Sequence, residues 1–400
     1  MNKCSGYTAV DKDEAIANLI QRCKLFPGTE VISLADAVSR VAAGRMVSKH
    51  DLPAMNSSRM DGIAVCYRDF ENGAPDTSGW TEGKEYVFCN CGIGIPGPYD
   101  TVIRIEDVEF PDGKLTLLAQ PSARGQWMKP PGTSVKKDEV LVEKGDVLTP
   151  FLISRIAMGG YAAVEVIKKP VVAFIPTGDE LVPAGEPVPP GMNVDSNSLM
   201  VRGKILLWGG EPLIYPINRD DPEVIRATMA DALEKADIVV VNAGSSQGQK
   251  DYTMEVLEQF GTVLSHMIKS GPGAHTSCTV AHSGKPIVGI PGPAVGAESV
   301  VDWFLKPLMD MFLGQKPQQI FVRAVYTGEE IPYTAPSNGT ARMARVILTR
   351  REDGRLAART VSFENADETN RANGFLRITS EGVRPGEEVK VELRYPYSFI

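Results

Sequence analysis

Two adjacent carboxylates, Asp179 and Glu180, stand in the turn Thr177-Gly178-Asp179-Glu180-Leu181, directly after the apolar run from Pro170 to Pro176. A carboxylate pair at the carboxyl end of a parallel strand can hold a hard cation such as Mg²⁺ against ligand phosphates. Read more plainly, the same residues are a helix cap and a surface acid. A second apolar run, Asp237-Ile238-Val239-Val240-Val241, opens into Asn242-Ala243-Gly244-Ser245-Ser246-Gln247-Gly248, followed by Asp251-Tyr252-Thr253. Small residues there let the backbone approach a ligand, and hydroxyls and free N–H groups hold oxyanions. A bare surface loop is the plain alternative.

Further candidates follow in order. Lys269-Ser270-Gly271-Pro272-Gly273 places a cation beside a Gly-rich turn suited to an oxyanion, and Pro286–Ile290 ends in Pro291-Gly292-Pro293. Asn193-Val194-Asp195-Ser196-Asn197 and Arg219-Asp220-Asp221-Pro222 cap helices at the same edge, with Arg219 able to face a phosphate. Upstream, Asp61 lies in Ser57-Ser58-Arg59-Met60-Asp61-Gly62-Ile63-Ala64; Asp-Gly by itself is a common turn. Apolar strands that each stop in a small polar turn make a crevice beyond their carboxyl ends, where helix N-termini attract negative charge. The residues point to a phosphorylated or oxyanionic small molecule.

The elements that position these residues are legible in outline. Apolar periodicity predicts a helix over residues 8–24 and a second over Leu34–Arg45. Residues 51–132 hold short alternating runs among Gly and Pro and read as a small β domain. From 133 to 167 the pattern is helical again, ending in a strand. We therefore expect a helical domain (1–50 and 133–167) interrupted by the β domain (51–132). Residues 168–316 alternate strand and helix, with Asp221 and Pro222 opening a helix as cap and first turn. They imply a central α/β domain with a parallel-type sheet. From 317 to 400 the period is two, broken by Asp353-Gly354 and Pro385-Gly386, which predicts a small β-barrel-like domain. The fold class is multidomain α/β plus β.

Composition narrows the function. A chain of 400 residues with 43% hydrophobic and 23% charged residues reads as a multidomain globular protein. A formal net charge of −8 argues against a general nucleic-acid binder. The sequence has neither an apolar run of membrane-spanning length nor the apolar core of a signal peptide, so a cytoplasmic protein is expected. Six cysteines do not make a disulfide framework, and Cys89-Asn90-Cys91 lacks the second pair a structural zinc site needs.

Taken together, the motifs resemble those of the molybdopterin molybdotransferase family (MoeA and the gephyrin E domain), in order along nearly the whole chain. Ser57 to Val65 is similar to that family's N-S-A-M-D-G-[YF]-A-V signature. The T-G-D-E-L turn, the D-S-N before a helix, R-D-D-P, the glycine–hydroxyl loop with Asp251, the G-I-P-G-P turn and the final β module fall in family order. The resemblance implies a homodimer that inserts molybdate into molybdopterin, using molybdopterin-adenylate and Mg²⁺ and releasing AMP. A molybdopterin adenylyltransferase is an implied partner. By position it makes Asp61, Glu180 and Lys269 catalytic, with Asp61 and Glu180 toward the divalent cation. It assigns Thr177, Gly178, Asp179, Asp195, Asn242, Gly244, Ser245, Ser246, Gly248, Asp251, Gly271, Pro291 and Gly292 to cofactor binding. The chain departs from the family pattern at Ser134, where R-x-x-G-E-D ends in an acid. It departs again at Pro272, the second lysine of K-P-G-K-P, at Pro293-Ala294 of P-G-N-P, and at Cys91-Gly92-Ile93-Gly94 of T-G-A-P. Those departures keep a second expectation open: a catalytically degenerate paralogue that binds molybdopterin or its nucleotide as carrier, scaffold or sensor.

Overall fold

The computed structural model describes residues 9–242, 252–317, 319–332, 341–362, 366–378 and 381–394. The chain divides into two compact units, Thr29–Ile167 and a second made of Met1–Gly28 with Lys168–Ile400. Each is described by itself.

In the larger unit the sheet is built from β1 (Val171–Ile175), β2 (Glu211–Ile214), β3 (Ile238–Asn242), β4 (Gly261–His266), β5 (Ser277–Ala281) and β6 (Pro286–Ile290), in the order β2-β1-β3-β6-β5-β4. The first four in that order run parallel; β5 is antiparallel to both of its neighbours. Val, Ile and Ala fill β1, β3 and β6 because both faces are covered. Val172, Phe174, Ile238, Val240, Val288 and Ile290 face one core, built with helices α1 (Lys12–Arg22), α2 (Asn197–Leu207) and α5 (Ala294–Val300). Ala173, Ile175, Val239, Val241 and Ile287 face the other, with α3 (Pro222–Lys235) and α4 (Tyr252–Phe260). Consecutive residues thus go to opposite cores. Burying each large aliphatic side chain contributes about 1.5–3 kcal/mol, so a one-residue slip in register would lose both packing surfaces.

Helix α3 begins as its sequence dictates: Asp221 accepts from the Glu223 N–H, and Pro222 occupies the first turn. Helix α5 runs on through a π-helical segment, Val301–Leu305, into α6 (Lys306–Phe312). Beyond it, β7 (Phe321–Tyr326), β8 (Ala341–Arg350), β9 (Leu356–Thr360), β10 (Gly374–Ile378) and β11 (Glu388–Leu393) close into a five-stranded barrel around Tyr326, Val346, Ala358, Leu376 and Val391.

The Thr29–Ile167 unit has separate cores. Leu34, Ala42, Leu141, Leu148, Ile156 and Val166 pack between the antiparallel pair Thr29–Ser33 with Ala163–Ile167 and the helix Pro150–Met158. Ile63, Val65, Tyr86 and Ile103 belong to a three-stranded sheet in which Gly62–Val65 lies between Tyr86–Cys89 and Thr101–Arg104.

Three expectations are corrected. Residues 133–149 are not helical: Val140–Val142 is a strand paired with Met46–Val47, and the helix that follows is only Pro150–Met158. Residues Leu34–Arg45 are not a helix: only Leu34–Asp36 makes a 3-10 turn, after which Val41 bridges Val147 and Ala42 bridges Val166. Long-range backbone pairing satisfies this segment, and helix propensity is too weak to compete. Helix α1 does not group with residues 29–50; its Ala15 and Leu19, with Cys23 just after it, lie in a core of the α/β sheet.

Candidate functional site

The strand order turns at β1, because the chain next builds β2 on one side and β3 on the other. The crevice where strand order reverses lies beyond the carboxyl ends of β1 and β3. There Thr177 Oγ1 donates to the Asn242 carbonyl at 2.5 Å, and Asn242 Nδ2 donates to the Thr177 carbonyl at 3.3 Å. Asn197, in the first turn of α2, donates from Nδ2 to Asn242 Oδ1 at 3.1 Å and to the Gly292 carbonyl at 2.9 Å. One buried amide thus ties β3 to the turn after β6. Its Oδ1 has no hydrogen-bond partner among the described residues, and a buried acceptor left open is an uncommon expense.

These ties frame a cavity of about 450 Å³ lined by Glu180, Asp195, Asn197, Asn242 and Gly292, among others. Asp195 is held in place: its carboxylate accepts from the Ser198 N–H at 3.0 Å and from Ser198 Oγ at 2.5 Å. Glu180 is exposed, and its carboxylate folds over Gly178, where a Cβ would sit 2.7 Å from an oxygen. Gly178 has φ +147°, a second reason for glycine there. Asp179 instead faces the neighbouring turn: its Oδ1 accepts from the Asp220 N–H at 3.2 Å, and its carbonyl accepts from Arg219 Nη1 at 2.6 Å. Arg219 is thereby engaged with protein backbone.

Not every candidate meets at this cavity. Gly271 lies on a second depression of about 640 Å³, beside Arg342 and Arg359, and its short strand Ser270–Gly271 pairs with β8. Lys269, half-buried, donates its N–H to the Val10 carbonyl at 2.7 Å. Pro291 precedes Gly292 and packs on Gly296 of α5. Gly244, Ser245, Ser246, Gly248 and Asp251 lie outside the described residues. Asp61 belongs to the other unit. Its Oδ1 accepts from the Cys91 N–H at 2.8 Å and its carbonyl from the Ile105 N–H at 2.9 Å. Asp61-Gly62 is no free turn. Gly62 opens the central strand, where an added Cβ would lie 2.0 Å from the Ile103 carbonyl oxygen. Among the described residues no group of three His, Cys, Asp or Glu could hold a metal by itself.

Sequence reasoning placed Asn197 only in a capping run, and it missed Asn218. Asn218 is buried after β2, its carbonyl accepts from the Gly178 N–H at 3.0 Å, and its Nδ2 is unpaired among the described residues. The available signal was positional: Asn242 ends β3, and Asn218 follows β2 at the same edge.

The chain is similar to known proteins along nearly its whole length. Residues 10–160 match the MoeA N-terminal region (domain I and II), and residues 173–311 match a probable molybdopterin binding domain. The molybdopterin molybdenumtransferase of Bacillus subtilis (strain 168) is 28% identical over 413 residues, spanning 96% of this chain and 94% of the relative. That of Haemophilus influenzae is 29% identical over 76% of this chain and 78% of its own length. The crystal structure of the molybdopterin biosynthesis moeA protein from Pyrococcus horikosii superposes with a TM-score of 0.78 at 28% identity, covering 96% of this chain and 99% of that one. No described helix is long and apolar enough to cross a membrane. With both matched regions in order and the architecture shared, this chain belongs to the MoeA family of molybdopterin molybdotransferases.

Proposed function

We propose that this protein inserts molybdate into molybdopterin, acting on the adenylylated form and releasing AMP. The observation that carries the reading is the polar cavity at the strand-order switch, where Asn197, Asn242 and Gly292 converge with Glu180 and Asp195. Its volume suits a pterin- or nucleotide-sized group. The open Oδ1 of Asn197 is a ready acceptor for a ring N–H, and the N-terminus of α2 beside it favours phosphate oxygens. Glu180 sits at the rim, exposed and free to turn toward a cation. A Mg²⁺ ion held by Glu180 and by the ligand's phosphates would neutralise charge on the departing AMP. We assign Lys269 to the oxyanion and Asp61 to orienting the reacting group. The Gly244–Ser246 run, Gly248 and Asp251 line the rest of the pterin-nucleotide site in this proposal. Rate then comes from orientation and charge stabilisation.

The same reading makes the active species a cytoplasmic homodimer supplied by an adenylyltransferase. Molybdate-dependent AMP release from molybdopterin-adenylate by the purified protein is the direct test. A second reading has its own support: Pro293 and Ala294, which depart from the family turn, both line the cavity. A carrier or sensor would bind the pterin nucleotide without releasing AMP and would fail to complement a strain lacking its molybdotransferase.

A further inference from the structure

Residues Gly125 to Met128 form a tight turn closed by the Met128 N–H on the Gly125 carbonyl at 3.0 Å. Its third position is Trp127, with φ +56°. Turns of this hand take Gly or Asn there, and a large side chain is an outlier. Burial does not explain the choice, because Trp127 is 38% exposed. The ring is nevertheless fixed. The Arg104 guanidinium lies 5.9 Å from its centroid, and Asp107 holds that guanidinium by bonds of 2.8 and 3.1 Å.

A second residue points to the same place. The Arg59 N–H donates to the Trp127 carbonyl at 2.8 Å, and Arg59 Nε donates to the Met128 carbonyl at 3.0 Å. Arg59 is exposed, and Nε is its one engaged guanidinium nitrogen among the described residues. The family signature has alanine at this position. Asp61 follows two residues later, and its neighbour Gly62 pairs in register with Arg104. Strained backbone, an exposed indole with one backed face and an anchored cation therefore meet beside Asp61. Outliers of this kind gather at binding sites.

We propose that Trp127 and Arg59 form a subsite for a planar heteroaromatic ring bearing a phosphate, with the ring on the indole and the phosphate on the guanidinium. Aromatic stacking accepts any flat base, and the guanidinium fork fits a phosphate. An adenine nucleotide and a pterin phosphate share that chemistry. The inference deepens the molybdotransferase reading, on which it rests for its ligand.

Calorimetric titration of the full-length protein with AMP, and separately with molybdopterin, tests it. Wild type should bind at least one of the two, and the arm that responds identifies the ring. Trp127→Asn and Arg59→Ala should each weaken that binding about tenfold, while Trp127→Phe stays within about threefold of wild type. Trp127→Asn relieves the backbone, so its melting temperature should not fall, which separates lost binding from lost fold. Equal affinities in wild type, Trp127→Asn and Arg59→Ala, or no binding of either compound, would overturn the subsite. Turnover is read separately. AMP release with an unchanged KM in both variants rejects the subsite alone. Weakened binding in a protein that releases no AMP rejects insertion and leaves the subsite standing.

Discussion

Asp61 presents its carboxylate at the mouth of a strand, with Oδ1 on the Cys91 N–H and Oδ2 left for other partners. If it orients the reacting group, Asp61→Asn should lower kcat for AMP release by roughly 10²–10³-fold, the range for losing one preorganised electrostatic group. Affinity for the pterin nucleotide, measured by calorimetry, should hardly change; an equal loss in both would make Asp61 a binding residue. Asn197 makes the opposite prediction. It links β3 to the Gly292 turn and keeps an open acceptor, so Asn197→Leu should weaken ligand binding about tenfold, in line with one lost buried hydrogen bond. Its kcat at saturation should fall much less. Of these two residues the sequence exposed only the first. Asp61 stands in a recognisable run of residues, whereas Asn197 looks like any cap until β3 and the turn after β6 are brought to either side of it.

Gly62 shows what an element demands of a residue. Its strand lies so close to Thr101–Arg104 that a Cβ would fall 2.0 Å from the Ile103 carbonyl oxygen, and backbone cannot yield as a flexible side chain can. Gly62→Ala should destabilise this unit by about 2–3 kcal/mol, the upper part of the overpacking range, read as a lower urea midpoint. A midpoint unchanged within error would mean that the strands are free to move apart. The helices and strands of the α/β sheet were legible because their apolar residues repeat at the period of the element they form, and α3 announces its start with Asp221-Pro222. The segment after Leu34 was not legible. Its alanines and valines carry a helical spacing, yet Val41 and Ala42 find partners at Val147 and Val166, more than a hundred residues away. Local propensity cannot report a contact so distant in sequence.

The larger unit is knit together by buried charge. Glu298 of α5 meets Arg345 at 2.8 Å, Lys204 at 3.4 Å and also Arg394, and Arg394 reaches Asp302 at 3.3 Å, so the barrel and α2 are tied to one helix. Burial works against the charge on Glu298, but Arg394, Lys204 and Arg345 outweigh it and hold the carboxyl down at about 2. A lowered folded value stabilises the protein above the ordinary glutamate pKa of about 4.3, and that stability is lost as pH falls toward 2. Urea unfolding of wild type should therefore weaken across that window. Glu298→Gln should flatten the dependence and cost on the order of 2 kcal/mol at pH 7, less than a fully buried pair because the side chain keeps some solvent contact. An unaltered pH slope would remove Glu298 from this account. Light scattering should give twice the mass of one chain if the proposed homodimer is correct. By itself the sequence determined the alternating α/β unit, the final barrel and the family, since periodicity and ordered motifs survive as local patterns. Only the tertiary structure decided that Asn197 closes the cavity, that Gly271 faces a different depression from Gly292, and that α1 belongs to the sheet. Each of these depends on which strand ends become neighbours, and that is fixed by long-range burial rather than by any stretch of chain read alone.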